Sequence, residues 1–244
     1  LPDTSRTGVL ITRPGNAGPD VAAAETARRV AALGFTPVLA PVLRIAALPA
    51  RLGDPALVRA VLLTSGNALG ALDAAWHGVP VLAVGDATAA RARAAGFAQV
   101  DSAGRDAVAL AALVAARCPA GAVLLLPTAR GEGLALACTL RAAGFVVRRR
   151  AVYAALPHAA LPDAAVAALV AGTVRAALFF SPAAARGFVR LARMLPAACL
   201  GDIAALALSP AVAAPRAALP WHRLRVADRP TQDALLTLLA ESEA

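Results

Sequence analysis

The chain contains no lysine. All 24 of its basic side chains are arginine, set against 15 acids, for a net charge of +9 over 244 residues. That absence excludes enzymes that need a lysine amine for a Schiff base or a pyridoxal anchor, and phosphate loops ending in Gly-Lys. Histidine is nearly as scarce: His77, His158 and His222 are the only three. None stands at metal-ligand spacing, so no metal site is expected. The three cysteines, Cys118, Cys138 and Cys199, are far apart and form no Cys-x-x-Cys pair. They are expected as free thiols, which suits a reducing cytoplasm. Aromatics make up 4%, and Tyr153 is the single tyrosine. With so few stacking rings and scattered arginines, nucleic acid is not an expected partner. Long apolar runs are also missing. Mean hydropathy is +0.66, yet an arginine, acid or proline cuts every apolar stretch before the roughly 20 residues that a membrane span requires. No basic-then-apolar leader is visible at the N-terminus. No Gly-x-Gly-x-x-Gly occurs, "GNAG" at Gly15–Gly18 is too weak to count, and neither "TSG" nor "FFSPA" is a Gly-x-Ser-x-Gly elbow. A dinucleotide cofactor is not expected.

What is present is a rhythm of short apolar runs and amphipathic helical stretches. "GVLITRPG" reads as a buried strand, and "PDVAAAETARRVAALGF" as a helix stopped at Gly34. "AVLLTSGNALGALDAAW" reads as a strand opening a helix near Asn67, and "PVLAVGDATAARARAAGF" repeats the pattern with Gly85 at the turn. "AQVDSAGRDAVALAALVAARC" and "GAVLLLPTARGEGLALACTLRAAGF" continue it. So do "RAALFFSPAAARGFVRLARM", "AALALSPAVAAPRAAL" and "HRLRVADRPTQDALLTLLA". Such alternation predicts α/β architecture with parallel sheets, flavodoxin-like in its layering. Two proline-bounded extended segments, 39–51 and 146–157, bracket the middle block. They predict a two-stranded connector between two lobes.

The strand ends share a chemistry. Most run into a small hydroxyl or glycine turn at a helix start: Thr12 and Arg13; Thr64, Ser65 and Asn67; Gly85 and Thr88; Thr128, Arg130 and Gly131. Later in the chain come Ser181, Pro182 and Ala183, then Ser209, then Thr231. One reading of each is an ordinary N-cap, since the first N–H groups of a helix need acceptors. Pro182, Pro210 and Pro230 suit a first helical turn. The other reading concerns the set. Ligands of open parallel sheets sit beyond the carboxyl ends of the strands, where helix N-termini attract anions. With arginine as the only strong cation, a small molecule with many carboxylates fits best.

Taken in order, "VLITRPG", "GFTPVLAPVLRI", "LLTSGNA", "AVGDATAARARAAGF", "VVRRRAVYAALP", "FFSPAAARGF" and "LSPAVAA…RVADRPTQDALL" resemble the uroporphyrinogen-III synthase family over nearly the whole chain. The resemblance implies two α/β lobes, the first discontinuous (1–38 plus 158–244) and the second spanning 52–145, and a linear tetrapyrrole substrate, hydroxymethylbilane, with eight carboxylates. The implied reaction closes that chain with loss of water and inversion of ring D. It needs no metal or organic cofactor. It also implies a cytoplasmic protein, with a hand-over of substrate from the upstream deaminase and a monomeric state as further expectations. In the family a tyrosine on the second extended segment assists departure of the hydroxyl, and Tyr153 stands at that place. The other reading is a tyrosine packed at a strand edge with its hydroxyl in water. Strand alternation would set Arg149 and Tyr153 on one face, with Arg148 and Arg150 on the other. Ala154 and Ala155 depart from the family, whose members often carry a polar residue shortly after the tyrosine. Two other classes remain: a binding or regulatory protein of the same fold without catalysis, and a different α/β enzyme such as a phosphosugar isomerase, which would need a general base in the cleft.

Overall fold

The computed structural model describes residues 7–16, 21–104, 106–215 and 219–241. Gly18 and the expected helix lead-in at Pro19 and Asp20 lie outside the described residues. The chain divides into two units: unit 1 is Leu1–Ile45 with Leu156–Ala244, and unit 2 is Ala46–Ala155.

Unit 1 is built on five parallel strands: β1 (Gly8–Ile11), β3 (Thr36–Leu39), β10 (Val174–Phe179), β11 (Ala204–Ala207) and β12 (Arg223–Val226). Their spatial order is β12-β11-β10-β1-β3. This is the doubly wound order in which the first strand neighbours both the second and the third. Its helices are α1 (Val21–Ala32), α5 (Asp163–Val170), α6 (Pro182–Ala192), α7 (Pro210–Ala213) and α8 (Gln232–Ala240). The central strands read as unbroken apolar runs because both faces are covered. Val9 and Ile11 pack with Val30 of α1 and with Leu235 and Leu239 of α8. Leu10, between them, packs on the other face with Leu169 of α5 and Phe188 of α6. Pro37 lies in β3, which among the described residues stands at the sheet edge beside β1, where a missing N–H costs no ladder bond. A two-residue strand β2 (Gly15–Asn16) pairs in parallel with Arg44 and Ile45.

Unit 2 orders its parallel strands β9-β8-β5-β6-β7, from β5 (Ala60–Leu63), β6 (Val81–Ala83), β7 (Val100–Ser102), β8 (Val123–Ala129) and β9 (Val146–Pro157). Helices α2 (Asp86–Ala94), α3 (Ala107–Arg117) and α4 (Leu134–Ala142) complete it. Leu62, Leu124 and Leu126 pack against Leu110, Val114 and Leu140, while Val61, Leu63 and Leu125 are equally buried. The chain passes between the units twice, within β4 (Leu43–Ala47) and near the end of β9.

Three expectations need correction. The helix foreseen near Asn67 is two 3-10 turns, Gly66–Ala71 and Ala74–Trp76. Asp73 interrupts them by accepting the Ala75 N–H at 3.1 Å and starting a new cap. The helix after Ser209 is the single turn α7. Pro230 precedes the Thr231 cap of α8 rather than entering the helix.

Candidate active site

In unit 2 the chain runs from β5 outward through β6 and β7, then returns to the other side of β5 for β8 and β9. The order reverses between β5 and β8. Their carboxyl ends therefore diverge and leave the crevice in which such folds take ligands. Sequence reasoning placed Thr64, Ser65 and Asn67 at the first of these ends and Thr128, Arg130 and Gly131 at the second, and the fold brings the two sets to one rim. Gly85 and Thr88 follow neighbouring β6 on the same rim.

Tyr153 reaches this rim from β9. Its partner across the ladder is Ala129, the last residue of β8, and its carbonyl accepts the Arg130 N–H at 2.8 Å. The residue is 6% exposed, so its ring is packed into the unit. Burial pushes the phenol pKa upward. The nearby Ser65 hydroxyl and the charge of Arg91 pull it back, and the charge of Glu132 adds to the rise. Ser65 Oγ also accepts the Asn67 N–H at 3.3 Å. The ladder slips beside the tyrosine: Thr128 faces Ala151, but Ala129 faces Tyr153. Two residues on β9 thus answer one on β8, so strict alternation does not put Arg149 and Tyr153 on one face. Arg149 Nη1 donates to Glu132 O at 2.7 Å, and Arg150 Nε donates to Arg51 O at 3.1 Å.

The strand-end hydroxyls of unit 2 divide into committed and open. Thr128 is buried, and its Oγ1 donates to Ala129 O at 2.6 Å and Glu132 O at 3.0 Å. It braces the Arg130–Gly133 turn, where Gly133 sits at φ +77 with room for no side chain: a Cβ there would lie 2.8 Å from Thr128 Cγ2. Thr64 and Thr88 are half-buried, and their hydroxyls bond no described residue.

Unit 1 reverses between β1 and β10. Thr12 and Arg13 end the first strand, and Ser181, Pro182 and Ala183 follow the second. Thr12 is wholly buried and donates to Leu178 O at 2.8 Å, tying the two strands together. Arg13 is held on several sides. Its Nε donates to Thr26 Oγ1 at 2.9 Å, its Nη2 donates to Gln232 Oε1 at 2.6 Å, and its Cζ lies 3.9 Å from the centre of the Phe180 ring. Gln232 Nε2 is buried beside this network with no partner among the described residues. Ser181 Oγ accepts the Ala184 N–H at 3.1 Å, and Thr231 Oγ1 accepts that of Ala234 at 3.3 Å. Ser209 heads α7 without a side-chain cap bond. No group of three or more His, Cys, Asp or Glu among the described residues could hold a metal ion.

A family model described as uroporphyrinogen-III synthase HemD matches residues 24–237. The chain belongs to that family. It is thereby a member of an enzyme family of tetrapyrrole synthesis, and the family implies a tetrapyrrole substrate. No curated protein sequence matches the chain directly. Among solved structures, a uroporphyrinogen-III synthetase from Helicobacter pylori superposes with a TM-score of 0.62 at 16% identity. The match covers 96% of this chain and 99% of that one. A mutant uroporphyrinogen III synthase from the extremely thermophilic bacterium Thermus thermophilus superposes at 0.53 and 20% identity, covering 98% and 100%. At these identities the likeness speaks for the mixed α/β fold with parallel sheets. No helix among the described residues is long and apolar enough to cross a membrane.

Against this synthase background, sequence reading missed the residues around the tyrosine. Arg91 and Glu132 sit on a helix face and in a turn, and nothing in their local spacing marks them. Thr26 and Gln232, which hold Arg13, carry no local signal either. All four are brought in by tertiary structure.

Proposed function

We propose that this chain cyclises hydroxymethylbilane to uroporphyrinogen III, releasing water and inverting ring D, as a cyclising hydro-lyase. The product would feed heme, siroheme or cobalamin synthesis. The observation that carries the reading is the buried phenol of Tyr153 at the strand-end rim of unit 2, raised in pKa by burial. A phenol held neutral is a proton donor at pH 7. In the proposed step Tyr153 hydrogen-bonds the hydroxyl of the substrate's terminal hydroxymethyl group while its C–O bond breaks. The hydroxyl takes the phenol proton and leaves as water, the carbon it leaves is attacked by the ring D carbon to give a spirocyclic pyrrolenine, and the proton that ring D sheds on final closure restores the phenol. That intermediate reopens and recloses with ring D reversed. The linear substrate can close unaided to the uninverted isomer, so the larger task is to hold one conformation.

Open hydroxyls at Thr64, Thr88 and Ser209 and backbone N–H groups at the helix starts would grip acetate and propionate side chains. Arginine supplies the attraction for a polyanion. We read residues 39–51 and 146–157 as a connector between lobes 1–38 plus 158–244 and 52–145. We read the protein as a cytoplasmic monomer that takes substrate from the upstream deaminase, in line with its three free cysteines.

The test generates hydroxymethylbilane in situ with the deaminase, adds the protein, oxidises the products and separates the isomers. Type III product is expected. Tyr153→Phe is expected to fold normally and turn over about a hundredfold more slowly, the scale of one positioned proton donor. Type I product alone from folded protein would overturn the synthase reading, and wild-type kinetics in Tyr153→Phe would remove the phenol from the mechanism.

A further inference from the structure

Gly66, buried, opens the 3-10 turn that follows Ser65. A Cβ built on it would lie 2.6 Å from Arg91 Nη1, 2.7 Å from its Cζ and 2.8 Å from its Nε. The guanidinium of Arg91 therefore fills the space that a side chain at position 66 would take. It reaches that place from α2, the helix whose start is Gly85.

A guanidinium seated against the chain usually serves a carboxylate or a carbonyl, yet Arg91 has no such partner among the described residues. The ion pairs among those residues engage Arg28, Arg29, Arg117, Arg225 and Arg229. No hydrogen bond of the Arg91 side chain to a described residue occurs. Arg93, on the same helix, shows the contrast: its Nη2 donates to Val100 O at 2.7 Å. One arginine of "RAR" is spent on the fold, and the other, an exposed residue, lies over Gly66 with no hydrogen-bond or ion-pair partner among the described residues. Gly66, on which it lies, follows Ser65 at the strand-end rim, and the charge of Arg91 acts on the Tyr153 phenol against the effect of burial. An arginine fork pairs two parallel N–H donors with the two oxygens of a carboxylate.

We propose that Arg91, seated on Gly66, is a carboxylate anchor that fixes an acetate or propionate side chain of the substrate beside Tyr153. The inference rests on the octacarboxylate substrate read above. It also gives Gly66 a function: any larger residue there would displace the guanidinium while leaving its charge in the protein. The atoms that such a residue meets are the far end of a flexible side chain, so the fold would tolerate the change.

The experiment measures KM and kcat in the coupled assay for wild type, Arg91→Ala, Arg91→Lys, Gly66→Ala and the Gly66→Ala/Arg91→Ala double variant. Arg93→Ala is the control on the same helix. Binding of uroporphyrin III, a stable octacarboxylate, is measured for each by tryptophan fluorescence. Arg91→Ala is expected to raise KM and weaken uroporphyrin binding about tenfold, the scale of one charge-assisted contact, with kcat much less changed. Arg91→Lys should recover part of the loss. Gly66→Ala should move KM the same way, yet add nothing once Arg91 is gone, a non-additivity that two independent structural defects would not show. Arg93→Ala should keep the wild-type KM. Type III product with an unchanged KM in Arg91→Ala, or full additivity in the double variant, overturns the anchor and leaves the synthase reading intact. A wild type that forms no type III product but binds uroporphyrin III about tenfold tighter than Arg91→Ala overturns the synthase reading and leaves the anchor. Equal uroporphyrin binding by a wild type without type III product overturns both.

Discussion

At Tyr153 the protein spends burial to keep a proton in place. The ring is 6% exposed and its pKa is raised, first by desolvation. In the unfolded chain the same phenol titrates at about pH 10. The folded state thus holds the proton to higher pH than the unfolded state does. A native pKa above the unfolded one means that this contribution to stability is full below about pH 10 and is lost as pH rises through the native value. Tyr153→Phe has no proton to lose there. Between about pH 9 and pH 11, a window that brackets the unfolded value, the urea midpoint of the wild type should fall further than that of Tyr153→Phe. Equal falls would mean that the phenol titrates alike in both states and that burial does not hold its proton.

Caps and ligand contacts draw on the same residue types, so at the scale of the element they must be separated by experiment. Ser181 caps α6 through the Ala184 N–H, whereas the hydroxyl of Ser209 caps nothing at α7. Ser181→Ala should cost about 1 kcal/mol of stability, read as a lower urea midpoint, and Ser209→Ala close to none. If Ser209 instead serves the substrate, its loss appears in KM at full stability. A stability loss in Ser209→Ala equal to that in Ser181→Ala would return Ser209 to a structural role.

The legibility of the rest follows the same line. Strands such as "GVLI" and "AVLL" and the helix starts at Ser181 and Thr231 could be read from the chain because apolar runs and caps are local signals. The slip in β9 is set by pairing with β8, and the seat of Arg91 on Gly66 by packing of α2 against the Ser65 turn; neither leaves a local trace. The site was legible as a set of strand ends. Which hydroxyls are already spent, as in Thr12 and Thr128, depends on partners that only the fold supplies.

For the whole molecule, the division into a discontinuous and a continuous unit raises the question of whether stability is shared. Each unit has hydrophobic core residues of its own, and each holds one of the two tryptophans. Trp76 is buried in unit 2. Trp221 lies in unit 1 against Phe179 and Phe188, with ring centres 5.9 and 5.7 Å away. Trp221→Phe and Trp76→Phe therefore give parent proteins whose fluorescence reports one unit each. Leu126, wholly buried in the core of unit 2, is a clean probe. Leu126→Ala should remove about 2–5 kcal/mol from its own core. With the cores separate, that change lowers the urea midpoint seen by Trp76 and leaves the one seen by Trp221 in place. Phe188→Ala, in the core of unit 1, should do the reverse. Both signals moving together in both variants would show one cooperative block, with the cost of a defect in either unit spread over the whole chain.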